Sequence, residues 1–340
     1  MARVETGGVA WRINRRHRPS GKQFFEKRIV IEIVARSGPM REAIRLADRV
    51  AATDANVLIT GESGAGKDAL AFYIHSKSAR APQSVVKIDC ATLPSGLLEA
   101  ELFGYERGAF TGANEAKPGR LEAAHRGTLV LDEIAYLSTD SQAKLLRVIE
   151  TKEFERLGGR KRITVDARLI ALTNVDLSDA VNRQSFREDL YYRLNVMQIA
   201  VPPLRERSED LSELARAFVK AYAAKHGREA NEISKGALRL LAEYEFPGNV
   251  RELANTIERA LIVSASKQLE VADLPESIRA AVGVERRRKQ PQTLAEVEAD
   301  YVQEILTATK GNKTEAARIL GISRKNLYEK LARLNRKDEG

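Results

Sequence analysis

The chain has 340 residues, and at roughly 150 residues per domain that length points to two or three domains. Hydrophobic residues make up 43% and charged residues 30%, enough apolar content for sizeable cores and too much for wholesale disorder. The net charge is +9, no apolar run approaches the ~20 residues of a membrane span, and the single cysteine, Cys90, excludes a disulfide framework and a cysteine-rich zinc site. Met1-Ala2-Arg3-Val4-Glu5 lacks the apolar core of a secretory leader, so the expectation is a protein of the reducing cytoplasm.

The first 36 residues carry a net charge of +6 and show no period; Arg12, Arg15, Arg16 and Arg18 mark them as a basic arm. A solvated tail and a polyanion contact remain equal readings of that arm. From Met40, apolar residues at three- and four-residue spacing predict a helix. Val57-Leu58-Ile59 then reads as a short buried strand. Strand-like runs recur at Val85–Ile88, Thr128–Leu131 and Leu169–Leu172, with helical patterns between them. That alternation predicts a mostly parallel α/β sheet. After Pro203 the strands stop, and 210–225, 234–243 and 249–264 read as helices. Glu285–Pro291 has the charge and proline of a linker. The last 48 residues are helical in pattern, and residues 285–340 are net +4.

Gly61-Glu62-Ser63-Gly64-Ala65-Gly66-Lys67-Asp68 lies between the first strand and an apolar helix, the context a phosphate loop requires. Its backbone N–H groups and the helix N-terminus favour phosphate, and Lys67 reaches the outer oxygens. Asp68 stands where a Ser or Thr usually helps hold Mg²⁺. Gly127 to Glu133 is a buried strand ending in Asp132-Glu133. Asp132 is placed to organise Mg²⁺ and Glu133 to polarise the attacking water. The reading is an ATP-hydrolysing protein. Cys90 reads as a small buried residue, and His17, His75, His125 and His226 show no metal-ligand spacing.

Gly108-Ala109-Phe110-Thr111-Gly112-Ala113, between the phosphate loop and the Asp-Glu strand, makes the pattern specific. In this order the three motifs resemble the sigma-54-dependent enhancer-binding proteins, AAA+ activators of transcription, over roughly residues 37–340. The resemblance implies that the hexapeptide is the loop that touches sigma-54, with Phe110 as an aromatic anchor. It implies that Thr173-Asn174 senses the γ-phosphate and that Arg251, in Pro247-Gly248-Asn249-Val250-Arg251, meets the nucleotide. Arg187 and Arg193 would be arginine fingers reaching the ATP of the next subunit, which requires a ring, by family expectation a hexamer. Asp89 stands where the family usually has an Asn that holds the catalytic glutamate; an Asp there cannot donate and would repel Glu133. Phe246 replaces a common Trp.

At the C-terminus, Thr293-Leu294-Ala295-Glu296 reads as a capping box, and Leu294, Val297, Tyr301 and Ile305 as a helix face. Asn312 through Leu334 have helix-turn-helix spacing: Ala317 packs closely, Gly321 turns, Ile322 and Leu327 fill the core, and Ser323 caps the second helix. The module resembles the Fis-type domain that ends these activators. Ser323, Arg324, Lys325 and Asn326 would meet base edges, and Lys330 and Arg333 phosphates. A helical dimerisation hairpin is the other reading of the spacing alone.

The implied fold is an α/β P-loop AAA+ ATPase with a parallel sheet and helical lid, followed by an all-α Fis-type domain. The expected divisions are a basic arm over 1–36, an α/β ATPase subdomain over 37–208, a lid over 209–280, a linker over 281–292 and a DNA-binding domain over 293–340. The implied function is to bind upstream DNA, oligomerise and spend ATP on remodelling the closed sigma-54 polymerase promoter complex. Thirty-six residues are too few for a receiver domain, so the expectation is control by expression level, a separate regulatory protein or a partner activator. Rival readings are a regulator of ordinary polymerase, a non-transcriptional remodelling ATPase, and a nucleotide binder with weak hydrolysis.

Overall fold

The computed structural model describes residues 33–228, 232–289, 298–299, 301–302, 305–306, 309 and 311–335. The basic arm up to residue 32, the capping box at 293–296, and Val297 lie outside the described residues. The chain divides into two compact units, one through Pro275 and one from Glu276.

In the first unit, helix α1 (Gly38–Ala51) starts with Pro39 in its first turn, where a missing N–H costs nothing. Its Met40, Ala43, Ala47 and Val50 stripe is buried. Then follow β1 (Val57–Thr60), α2 (Lys67–Lys77), β2 (Val85–Asp89), α3 (Ser95–Phe103), β3 (Thr128–Asp132), α4 (Thr139–Thr151), β4 (Arg168–Thr173), α5 (Glu188–Leu194) and β5 (Met197–Ala200). The five strands form one parallel sheet in the order β2-β3-β4-β1-β5. Side chains alternate between its two faces: Leu58, Leu129 and Leu131 join one core, while Val57, Ile59, Val130 and Ile170 join the other beneath α1 and α2. Burial on both faces is why these strands read as continuous apolar runs. The sequence reading missed β5, whose residues alternate buried Ile199 with exposed Gln198 and Ala200 at the sheet edge. It also missed the short antiparallel pair Glu153–Glu155 with Arg162–Thr164.

The lid follows as α6 (Ser208–His226), α7 (Lys235–Glu243) and α8 (Asn249–Val263) around Leu211, Phe218, Leu241, Phe246, Leu253 and Ile257. Strands do not stop at Pro203: Glu232–Ile233 pairs in parallel with Gln268–Leu269. Asp210, fully buried, accepts the N–H groups of Arg36 and Ser37 at 2.5 and 2.8 Å and the Ser37 hydroxyl at 2.9 Å. The segment before α1 is thereby fixed to the first lid helix.

In the second unit, α9 (Glu276–Lys289) carries the charged run expected as linker; Glu, Arg and Lys are good helix formers, and no Gly or Pro intervenes over 284–289. Helices α10 (Lys313–Ile319) and α11 (Arg324–Asn335) flank the turn at Gly321, whose φ is 67°. Asn312 caps α10, and the Asn326 N–H donates to Ser323 Oγ at the start of α11. The core is Val302, Ala316, Ala317 and Leu327, with Ile322 partly buried against it. Tyr301, expected on the inner face, is 52% exposed; the buried stripe runs one residue later, through Val302, Ile305 and Leu306.

Arg168 opens β4 almost wholly buried, and its guanidinium donates to the carbonyls of Val50, Ala51 and Ala55 at 2.8, 3.5 and 3.3 Å. It closes the C-terminal end of α1 against the sheet. Arg168→Leu leaves those carbonyls unpaired and is expected to cost roughly 2–3 kcal/mol, read as a fall in the urea midpoint of the folded protein with an unchanged slope.

Candidate active site

The phosphate loop leaves the C-terminal edge of β1 and runs into α2. Lys67 is 6% exposed, and its ammonium donates to the carbonyls of Gly61 and Glu62 at 2.8 and 3.2 Å. It stands 3.7 Å from the Glu133 carboxylate. The loop is braced from the lid. Asn249 is fully buried in a left-handed conformation, φ 54°. Its Nδ2 donates to Glu62 Oε2 and the Ser63 carbonyl at 3.0 and 3.1 Å, and its Oδ1 accepts the Leu204 N–H at 2.8 Å. Arg205 grips the same Glu62 with two bonds of 2.9 and 2.6 Å. The Arg205 guanidinium first, then Asn249, holds the Glu62 carboxyl down at about 2. Arg251 Nη1 donates to Ser63 Oγ at 3.0 Å, which sets the lid arginine on the loop. Buried Arg207 donates to the Ala65 carbonyl. A side chain on Gly64 would collide with the Gly248 carbonyl, which is why glycine is needed there beyond its φ of 76°. Asn249, Arg205 and Arg207 were missed by motif reading because their partners lie about 140 to 190 residues away.

Strand register sets Asp89 on β2 beside Asp132 on β3. Glu133 follows at φ 53°, a left-handed conformation that strains a non-glycine residue by about 1 kcal/mol or more. Its Oε2 accepts the Asn174 N–H at 3.2 Å. Thr173 is buried, and its hydroxyl is tied to Val175. Asp89 Oδ1 accepts the N–H of Ala91, two residues on, and the bond to Glu133 comes from Asn174. Cys90 is buried, and burial first, then the Asp89, Asp132 and Glu133 charges, push its thiol up to about 12, so it is no nucleophile.

One residue here was not foreseen. Lys87, in mid-β2, contacts Asp68 Oδ1 at 2.5 Å and Asp132 Oδ2 at 2.7 Å. Burial opposes its charge, but Asp68 and Asp132 outweigh burial and hold its pKa above the ordinary value. The only sequence signal was a lysine inside an otherwise apolar strand.

The expected finger arginines lie elsewhere on the surface. Arg187 pairs with Asp189 through two bonds of 3.1 and 2.7 Å, and Arg193 contacts Glu150 at 3.2 Å. Among the described residues neither is bonded to the phosphate loop or to Asp132 or Glu133. In the hexapeptide, Gly108, Phe110, Thr111 and Gly112 are exposed and Ala109 is half-buried, but Ala113 is buried. Its N–H donates to the Phe110 carbonyl, and its carbonyl accepts the Gly108 N–H, which closes the loop on itself. Ala113 is therefore a closure residue and not a contact surface. The Phe110 ring packs edge-on to Tyr105 at 5.0 Å, beside a cavity of about 530 Å³ that Lys87 and Asp89 also line.

Arg324, Lys325 and Asn326 are exposed on the first turn of α11. Ser323 spends its hydroxyl on the cap, and Lys330 pairs with Glu298 at 2.6 Å. The Arg333 side chain lies outside the described residues.

Asn249→Ala removes the strap between lid and phosphate loop and strands the Leu204 N–H. Nucleotide affinity is expected to fall by about tenfold or more, ~1.4 kcal/mol, in equilibrium binding of a fluorescent ATP analogue.

The sequence matches the Sigma-54 interaction domain over residues 33–200, the AAA+ ATPase lid domain over 205–291, and the bacterial regulatory protein Fis family over 293–334. It is 44% identical over 315 residues to the transcriptional regulatory protein FlbD of Caulobacter vibrioides, covering 88% of this chain and 69% of that one. It is 44% identical over 310 residues to the regulatory protein AtoC of Escherichia coli, covering 88% and 67%. Among solved structures, NtrX from Brucella abortus superposes with a TM-score of 0.69 at 34% identity over 89% of this chain and 69% of that one. A crystal of NtrX in complex with ATP gives 0.67 at 35% identity over 90% and 69%. With a nucleotide-binding AAA+ ATPase domain, a helical lid and a Fis-type helix-turn-helix on one chain, this protein belongs to the sigma-54-dependent transcriptional regulators.

Proposed function

We propose that this ATPase works as a cytoplasmic ring in which each copy completes its neighbour's site. The observation that carries this is the separation of the parts. The phosphate loop, Lys67, Asp132 and Glu133 are gathered at one sheet edge, whereas Arg187 and Arg193 are paired with Asp189 and Glu150 on the surface. A guanidinium that cannot serve its own site is available to another copy, and an arginine supplied in trans is worth ~10³–10⁵ in rate in comparable systems.

In this reading Lys67 leaves the Gly61 and Glu62 carbonyls for the β- and γ-phosphate oxygens. Glu133 orients the attacking water and accepts its proton, and Asn174 keeps Glu133 in pose through its N–H. Arg251 and Ser63 close the lid side. A hard carboxylate oxygen at Asp132 suits Mg²⁺, with Asp68 held by Lys87. Among the described residues no three His, Cys, Asp or Glu side chains form a metal cage. When bound, Mg²⁺ neutralises charge that develops on the phosphate oxygens.

Phe110 and Thr111 would make the contact with sigma-54. Arg324, Lys325 and Asn326 would read base edges, and Lys330 would exchange Glu298 for phosphate. A separate regulatory protein would be a further partner. Among the described residues no helix is long and apolar enough to cross a membrane.

Mixing decides the ring reading. Lys67→Ala and Arg193→Ala are each expected to lack turnover, the first through lost ATP binding and the second with affinity retained. Together they should regain activity, because some interfaces pair an intact loop with an intact finger. Failure of a mixture shown to co-assemble, or turnover by a strict monomer, counts against it.

Phe110→Ala and Thr111→Ala are expected to hydrolyse ATP within a few-fold of wild type yet lose binding to sigma-54 in the presence of a transition-state analogue, since one aromatic anchor carries ~2 kcal/mol or more of an interface. Normal opening of sigma-54 promoters by either variant would remove the loop from the mechanism.

A further inference from the structure

Lys87 is a second cation in the acid cluster, beside Lys67, which faces Glu133. It is four-fifths buried, on β2, with Asp68 of α2 at 2.5 Å and Asp132 of β3 at 2.7 Å. These two carboxylates come from separate elements and share this one ammonium. Two carboxylates that approach one cation this closely repel each other when it is removed, and such an acid pair attracts a divalent ion by itself.

We propose that Lys87 is a positioning residue of the ATPase. Its ammonium fills the space between Asp68 and Asp132, keeps the pair from taking Mg²⁺ without nucleotide, and so makes the ion enter with ATP. The proposal rests on the reading of Asp132 as facing Mg²⁺. With ATP bound, Asp132 would be the residue that faces the ion, and the lysine would keep Asp68 neutralised.

The test uses the full chain and two readouts. One is the melting temperature across a MgCl₂ titration without nucleotide. The other is the Mg²⁺ concentration that half-saturates binding of a fluorescent non-hydrolysable ATP analogue. Wild type is expected to melt at one temperature throughout the titration. Lys87→Met should melt low, recover with Mg²⁺, and need on the order of tenfold less Mg²⁺ for nucleotide binding, the usual effect of one opposite charge a few ångströms away. Lys87→Arg, which keeps the charge, should stay flat in melting. Asp68→Asn frees Lys87 for Asp132 alone and should raise the Mg²⁺ requirement.

A folded Lys87→Met with a flat melting curve and an unchanged requirement overturns the proposal. Should Lys87→Met not fold, Asp68→Asn decides: an unchanged or lower requirement overturns it. Asp132→Asn separates the two levels. If it leaves the Mg²⁺ requirement unchanged, the reading of Asp132 falls and the proposal with it. If it raises the requirement while Lys87→Met fails to lower it, the proposal alone falls.

Discussion

A buried ammonium needs oxygen atoms around it whether or not a phosphate is present, and Lys67 meets that need with two carbonyls of its own loop and a facing glutamate. The loop must curl back on the lysine, so its shape is set before ATP arrives. The sheet order then matters, because β1, β3 and β4 sit close enough for the ends of three strands to supply the loop, Asp132-Glu133 and Thr173-Asn174 to one place. The strained backbone at Glu133 belongs to the same arrangement: it gives the carboxylate access to both Lys67 and the Asn174 N–H.

Much of this was legible in the sequence. The phosphate loop and the Asp-Glu strand are contiguous, and strands buried on both faces leave unbroken apolar runs. What escaped reading depends on long-range partners or on the sheet's edge. Lys87 carries no motif, and its meaning comes only from the strands and helix that bring Asp68 and Asp132 to it. Asn249 reads as part of a family pattern, but its bonds to Glu62 and Ser63 span almost the whole ATPase. Strand β5 buries a single side chain of four, Ile199, too little to make a periodic signal. In the second unit Ile305 belongs to both the expected and the observed stripe, so Tyr301 and Val302 competed for the inward position. The smaller side chain without a hydroxyl took it.

Charge on the described surface and around the phosphate loop is neutralised locally. Arg205 pairs with Glu62, Lys87 with Asp68 and Asp132, Arg187 with Asp189, Arg193 with Glu150, and Lys330 with Glu298. In the proposed mechanism the last three cations have an internal carboxylate to leave before they serve another molecule. Ion pairs at or near the surface are weak, so they are a small barrier to that exchange.

The strap at Asn249 limits how the protein can be recombined with its relatives. A chimera that joins this ATPase sheet to a foreign lid would keep a folded lid core, since Phe246, Leu253 and Ile257 pack among lid residues. Glu62 and Ser63 would then depend on the foreign segment for an amide and a guanidinium in the same places as Asn249 and Arg205. The heritable unit of nucleotide binding is therefore loop plus strap, two stretches distant in the gene that must be exchanged together, and a crossover point that respects it lies before residue 61 or after residue 251.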